Sequence, residues 1–220
     1  MLSEIVLAVR EACADALALL LPVSCAGCDE ADVVLCERCA LALAPDPREQ
    51  IVAAPGGAVA VWSGLALEGV AARVLRAVKE DGRTSLAAAL APALSSALAH
   101  AGEANAVLVP MPTSRQAYRR RGYRVPDLLV RRTGRRPRRL LRHARRTSDQ
   151  RGLDRDARAR NVADSLVASD AAGLRVVVVD DVVTTGASLG EAVRALRAAG
   201  ADVVAAVTVA ATPRRLPTGR

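Results

Sequence analysis

The sequence predicts an α/β fold, a mainly parallel sheet with helices on both faces, behind a small cysteine-bearing N-terminal module. Three observations carry this. Short apolar runs at 107–109, 174–179 and 203–210 alternate with helical stretches, the pattern of βαβ units. Those runs carry apolar residues at consecutive positions rather than at every second one, as strands covered on both faces do. And 51% hydrophobic content over 220 residues supplies a core for one domain with an appendage, which excludes wholesale disorder. Aromatics are nearly absent, with no Phe, one Trp and two Tyr, so Leu, Val, Ile and Ala must build the core. The same scarcity argues against a single-strand binder built on base-stacking platforms.

Residues 1–22 place Leu2, Ile5, Val6, Val9, Cys13, Leu17 and Leu20 at helical spacing on one face, with Pro22 as the stop. Glu4, Arg10, Glu11 and Asp15 interrupt the apolar run and no basic segment precedes it, so an amphipathic helix is expected rather than a signal or membrane segment. Nothing else is long and apolar enough to span a bilayer, and a cytoplasmic location is expected. Within 23–50, Cys25-Ala-Gly-Cys28 and Cys36-Glu-Arg-Cys39 lie seven residues apart. Each pair aims two thiolates at one point, and two pairs complete a tetrahedral sulfur site suited to structural Zn2+, with no open position for catalysis. Two disulfides are the alternative, disfavoured in a cytosolic chain. Cys13, on the apolar helix face, is expected to be a buried free thiol.

A loop with Pro45, Pro47, Pro55, Gly56 and Gly57 leads into the main domain, expected over 58–212 with 213–220 a disordered tail. A strand is expected over 58–62 and a helix over 68–79 with Val70, Val74, Leu75 and Val78 inward. A charged turn follows at 79–83, then an Ala/Leu helix over 84–100 and a buried strand at 107–109 that runs into Pro110-Met111-Pro112. The strand over 174–179, a helix over 187–199 and the strand over 203–210 complete the pattern.

The chemistry lies in Arg175-Val-Val-Val-Val-Asp180-Asp181-Val-Val-Thr184-Thr185-Gly186-Ala187-Ser188. An apolar strand is expected to end at two carboxylates, and a short Thr/Gly loop then opens a helix. Ligands of open α/β sheets sit at the carboxyl ends of the strands. The helix start offers unpaired N–H groups and a positive dipole end, and Gly186 lets the backbone approach a ligand. With the Thr184, Thr185 and Ser188 hydroxyls this makes a cup for a phosphate monoester. Asp180 and Asp181 stand beside it, placed to accept hydrogen bonds from vicinal sugar hydroxyls, which together describes a ribose 5-phosphate. Taken singly, the Asp pair could instead ligate magnesium or cap the helix, and the Thr-Thr-Gly run could be a plain turn. The dinucleotide glycine pattern and the Walker loop are both absent, so Rossmann cofactors and ATP hydrolysis are unsupported.

The formal charge of +8 is unevenly spread. Residues 115–160 hold 18 Arg against 4 Asp, a local net of +14, leaving −6 elsewhere. Such a segment faces a polyanion, be it nucleic acid, a phosphate ester or an acidic membrane, unless the arginine excess is the imprint of a GC-rich genome. Lys79 is the sole lysine and reads as a solvated helix-end residue. His143 is a candidate general acid or base, though a lone surface-loop histidine is more often incidental.

The run VVVVDDVVTTGASL resembles the ribosyl-phosphate signature of type I phosphoribosyltransferases. The doubled CxxC, the Lys79-x-x-Gly82-Arg83 turn, the stretch Val109-Pro-Met-Pro-Thr-Ser-Arg115 with Arg119 and Arg121-Gly122-Tyr123, and Thr147-x-x-Gln150-x-x-Leu153 with Arg158 and Asn161-Val162 further resemble ComF-type, competence-associated members. The resemblance covers about residues 18–212. It implies phosphoribosyl pyrophosphate (PRPP) with Mg2+ as ligand, Asp180 and Asp181 on the ribose hydroxyls, and Val182, Val183, Thr184, Thr185, Gly186, Ala187 and Ser188 around the 5-phosphate. It further implies a pyrophosphate loop with Met111, Ser114, Arg115, Arg119 and Arg121, and a flexible active-site loop with Thr147, Gln150 and Arg158. The activity implied is phosphoribosyl transfer to an unspecified acceptor, associated with DNA uptake or utilisation, with protein partners of an uptake system and single-stranded DNA on the Arg-rich segment. The alternative is a catalytically inactive PRPP sensor or DNA-handling protein. One departure stands out: Arg124-Val125-Pro126 follows Tyr123 where members carry Asn-Gln-Ala.

Overall fold

The main sheet runs, in order across it, β1 (Arg48–Val52), β2 (Val59–Ala66), β7 (Asp202–Ala211), β6 (Arg175–Val183) and β3 (Val107–Pro110). A computed structural model of the chain describes residues 23–144 and 164–213. The expected N-terminal helix with Cys13, the loop residues Thr147, Gln150 and Arg158, and positions 214–220 lie outside the described residues. Strands β2, β7, β6 and β3 are parallel, and β1 joins β2 antiparallel. The α/β fold class and mainly parallel sheet read from the sequence are those observed.

Strand β6 shows why the sheet forms. Val177 and Val179 belong to one buried cluster and Val176 and Val178 to the other, so four consecutive valines fill both faces. One face carries α2 (Gly69–Glu80), a 3₁₀ turn at Thr84–Leu86, α3 (Ala87–His100) and α5 (Val125–Arg132). The other carries α6 (Ala187–Ala198) and the hairpin of β4 (Leu141–His143) and β5 (Leu166–Ala168). Alanine lets these layers close tightly: the Gly64 backbone runs so near α3 that a Cβ there would lie 2.1 Å from the Ala93 carbonyl oxygen.

Two expectations are corrected. The segment read as loop before Ala58 contains β1, whose sequence REQIV leaves Ile51 exposed and buries Val52. Its partner is the β2 backbone, from Arg48↔Ser63 to Val52↔Val59, and no local pattern announces it. The strand expected to stop at Val179 continues to Val183, because β7 goes on pairing with it at Val182↔Ala210 and Val183↔Ala211. Asp180 and Asp181 therefore lie within β6 rather than after it.

Candidate functional site

Strand β3 pairs with β6 only as far as Pro110↔Val179, and the Met111 N–H donates the last bond, 2.8 Å, to the Val179 carbonyl. Beyond that point the β6 edge has no paired strand among the described residues, while β7 still covers its other side. Asp180 and Asp181 stand in this gap, on alternate faces of the strand. Asp181 shares the face of Val177 and Val179, under the end of α2. There Lys79 meets it, Nζ to Oδ1 2.9 Å, with 28% and 13% of the two side chains exposed. The expectation of a solvated Lys79 is overturned: the end of α2 aims its ammonium at the sheet, where a carboxylate lowers the cost of partial burial.

Asp180 turns to the other side and lines a small cavity of about 60 Å³ with residues 182–189. Burial and the adjacent Asp181 carboxylate push the Asp180 carboxyl well above the ordinary range, against the Asp181 N–H and Lys79, which pull it down. Burial and the neighbouring carboxylate thus both work against the ionised form of Asp180. Thr184, Thr185, Ala187 and Ser188 are exposed at the cup's rim, and the Thr185 hydroxyl accepts from the Ala187 N–H at 3.4 Å. Gly186, buried with φ +84°, sits where a Cβ would lie 2.5 Å from Val52 Cγ2. Strand β1 is thus the floor under the cup, and one further turn along α6 a Cβ at Gly190 would lie 2.8 Å from the Ala53 carbonyl oxygen.

Of the residues expected at the pyrophosphate side, Met111 and Arg115 line one larger cavity at the β3 edge. Ser114 caps α4 (Arg115–Arg121), its hydroxyl accepting from the Ala117 N–H at 3.2 Å. Arg119 and Arg121 therefore stand on a helix, and neither lines that cavity. The departure Arg124-Val125-Pro126 has a local explanation: Arg124 lies 4.4 Å over the Tyr118 ring, and Pro126 occupies the first turn of α5, where no N–H is missed. His143 is exposed, with Nε2 3.1 Å from the Pro112 carbonyl oxygen.

The cysteines form a second centre. The Sγ atoms of Cys25, Cys28, Cys36 and Cys39 all lie within 4.8 Å of one another, with Cys28 and Cys36 3.6 Å apart. Four thiolates about 2.3 Å from one tetrahedral ion would stand about 3.8 Å from each other, so this donor set fits a metal ion. Burial raises the Cys25 thiol, but N–H donation from Cys36, Gly27 and Cys28 outweighs it and brings it down to about 6. Burial and the Cys36 thiol push Cys39 up to about 12. Gly27 leaves the room this packing needs, since a Cβ there would lie 2.5 Å from Cys39 Sγ.

Residues that the sequence singled out without assigning them partners tie the two centres. One Arg83 guanidinium nitrogen donates to the Ser24 carbonyl at 2.7 Å and the Val34 carbonyl at 2.9 Å, each just ahead of one cysteine knuckle. The Tyr123 hydroxyl donates to the Val78 carbonyl, holding the end of α2 beside Lys79. The spacing Lys79-x-x-Gly82-Arg83, with Lys79 the sole lysine, was the signal; which carbonyls and carboxylate they meet depends on tertiary contacts. On α6, Glu191 accepts from the Leu166 N–H at 3.0 Å while Arg194 donates to the Leu166 carbonyl at 2.9 Å and to Glu191. Burial raises Glu191, but the Arg194 guanidinium and the Leu166 N–H hold it below the ordinary range. This pair fixes β5 on α6.

Among the described residues no helix is long and apolar enough to cross a membrane. A phosphoribosyl transferase domain model matches residues 84–218, more than half of the chain. Orotate phosphoribosyltransferase of Bartonella quintana (strain Toulouse) is 62% identical over 37 residues, 17% of this chain. That stretch spans 19% of the curated relative's own length. The family match takes in β3, β6, the cup and α6, and on that evidence the chain belongs to the phosphoribosyl transferase domain family.

Proposed function

We propose that the protein binds PRPP and transfers its phosphoribosyl group to an acceptor, in a ComF-type role associated with DNA uptake or utilisation. The observation that carries this is the cup of residues 182–189 at the start of α6, beside the two carboxylates in the gap of the sheet. Backbone N–H groups at the helix start, the positive end of its dipole and the rim hydroxyls suit the 5-phosphate. Asp180 and Asp181 suit the 2- and 3-hydroxyls of the ribose, and a hydroxyl donor favours the ionised form of Asp180, against the burial that disfavours it. Met111 and Arg115 face the pyrophosphate side, where a guanidinium suits a leaving group of dense charge. Lys79 positions Asp181. Carboxylate oxygens suit a hard cation, and Mg2+ bound with PRPP would neutralise developing charge on pyrophosphate as the anomeric C–O bond breaks and the acceptor attacks. The four cysteines would hold a structural Zn2+.

Calorimetric titration with PRPP and magnesium tests the reading, followed by pyrophosphate release against a panel of bases and amines. Binding abolished in Asp180→Asn/Asp181→Asn supports it, and no PRPP binding by the wild type refutes it. Binding without release from any acceptor favours the PRPP-sensing alternative, for which the Arg124–Tyr118 stack in place of the neutral amides is the specific observation. Single-stranded DNA on the Arg-rich segment predicts affinity that falls steeply with salt.

A further inference from the structure

The cysteine module holds helix α2 at both of its ends. Near the start, Val70 packs against the cluster of Cys25, Cys36 and Cys39, and the fit is tight at Gly27, where a Cβ would lie 3.0 Å from Val70 Cγ1. Past the end, the Arg83 N–H donates to the Ala77 carbonyl at 3.2 Å, so its backbone continues the last turn of α2. The Arg83 side chain reaches the other way, to the Ser24 carbonyl at 2.7 Å and the Val34 carbonyl at 2.9 Å. Both carbonyls are placed by the sulfur cluster. Ser24 precedes Cys25, whose Sγ accepts from the Gly27 N–H at 3.4 Å and from the Cys36 N–H at 3.3 Å. The Val34 carbonyl also accepts from the Ala26 N–H at 3.1 Å. An ion at the four sulfurs would lock this pair of knuckles, and a module too small for a core of its own keeps its shape only while so held.

Between these anchors α2 carries a contact to the ribosyl-phosphate site. Lys79, one turn before Arg83, sets its Nζ 2.9 Å from Asp181 Oδ1. Its ammonium offsets the repulsion between two carboxylates on consecutive residues, both of which serve as acceptors for ribose hydroxyls. We infer that Arg83 is a positioning residue for that site. It transmits closure of the cysteine module on its metal to the end of α2 and thereby sets Lys79 on Asp181, so that loss of the metal weakens PRPP binding. The ligand named here rests on the reading of the cup as a PRPP site, whereas the link from the sulfurs to Lys79 does not. The Tyr123 hydroxyl, donating to the Val78 carbonyl, is independent of the module, so the end of α2 loosens without detaching when the metal leaves. Linkage makes the effect reciprocal: the factor by which the metal raises PRPP affinity is the factor by which PRPP raises metal affinity.

Lys79 is the sole lysine, so a reagent for primary amines reports on it directly. The full chain is compared loaded with zinc and after stripping by a zinc-selective chelator that is then removed. The rate of Lys79 Nζ modification is read by mass spectrometry of its peptide, and affinity for PRPP with magnesium by calorimetry. Stripping should speed modification and weaken PRPP binding, each about fivefold or more. Arg83→Gln at saturating zinc should reproduce both changes, and this arm decides the matter should stripping unfold the main domain. Lys79→Met cuts the last link, so stripping should change its PRPP affinity by less than about twofold. A modification rate that Arg83→Gln leaves unchanged overturns the inference. So does PRPP binding that stripping weakens as much in a folded Lys79→Met as in the wild type. If the zinc-loaded wild type binds no PRPP, the cup reading fails, and the modification rates alone decide the link to Lys79.

Discussion

The pair formed by the sole lysine gives the sharpest test of how the two carboxylates are held. Lys79→Met keeps the length of the side chain and removes its charge, leaving Asp181 beside Asp180 with no cation in contact. At 2.9 Å the two charges attract by about 6 kcal/mol at an effective dielectric of ~20. The exposures of 28% and 13% mean that both groups surrender part of their hydration, which offsets most of that attraction. A net coupling of about 2 kcal/mol remains, in the range of a charge-assisted hydrogen bond and worth roughly a thirtyfold change in the folded-to-unfolded ratio. Urea denaturation of the wild type, Lys79→Met, Asp181→Asn and the double variant closes the cycle. The pH dependence adds a second check. Asp180 is raised in the folded state, so its contribution is favourable in acid and is lost as pH rises through its folded value. Lys79 opposes that rise, so Lys79→Met should cost more at pH 7.5 than at pH 4.5. A coupling below about 0.5 kcal/mol together with a pH-independent penalty would refute the reasoning.

Other substitutions follow from the same geometry. Asp180→Asn removes the charge that burial and Asp181 disfavour, so at neutral pH the ligand-free protein should melt higher while PRPP binding is lost. Gly186→Ala meets Val52 at 2.5 Å with φ +84°, and should cost about 2–4 kcal/mol in denaturant titrations, partly recovered by Val52→Ala. Arg83→Gln removes the charged donor shared by the Ser24 and Val34 carbonyls; metal captured by a chromogenic chelator should appear several-fold faster than from wild type. Metal analysis of the purified wild type should find about one zinc per chain, and a content far below one would remove the Zn2+ reading. Because Glu191 is depressed in the folded state, its stabilisation is present above the usual carboxylate range and is lost as pH falls through the folded value. Glu191→Gln should therefore flatten the acid limb of the stability profile.

Local pattern and chemistry made much of this molecule legible. Four β-branched valines in a row favour a strand covered on both faces, and the Asp-Asp-Val-Val-Thr-Thr-Gly run that follows places acceptors and a helix start within one short stretch. The cysteine pairs are equally local, since a CxxC turn needs only its own backbone to bring two sulfurs together. Strand β1 could not be read in this way. Its five residues have no apolar alternation, and its existence depends on β2 hydrogen bonds contributed from a dozen residues away. The end of β6 was misplaced for a related reason: a polar Asp pair looks like a strand terminus until β7 is seen to pair beyond it.

By itself, then, the sequence determined the fold class, the Thr/Gly cup beside two carboxylates and the four-sulfur cluster, because each rests on residues close together in the chain. Only the tertiary structure decided what lies behind and around them. It set Val52 under Gly186, Lys79 against Asp181, Arg83 across the cysteine knuckles and Asp127 in an arginine-lined cavity. These partners are separated by tens of residues or by a helix and a turn. Packing of α2 and α5 on one face of the sheet and of α6 on the other, rather than any spacing within the sequence, brings them into contact.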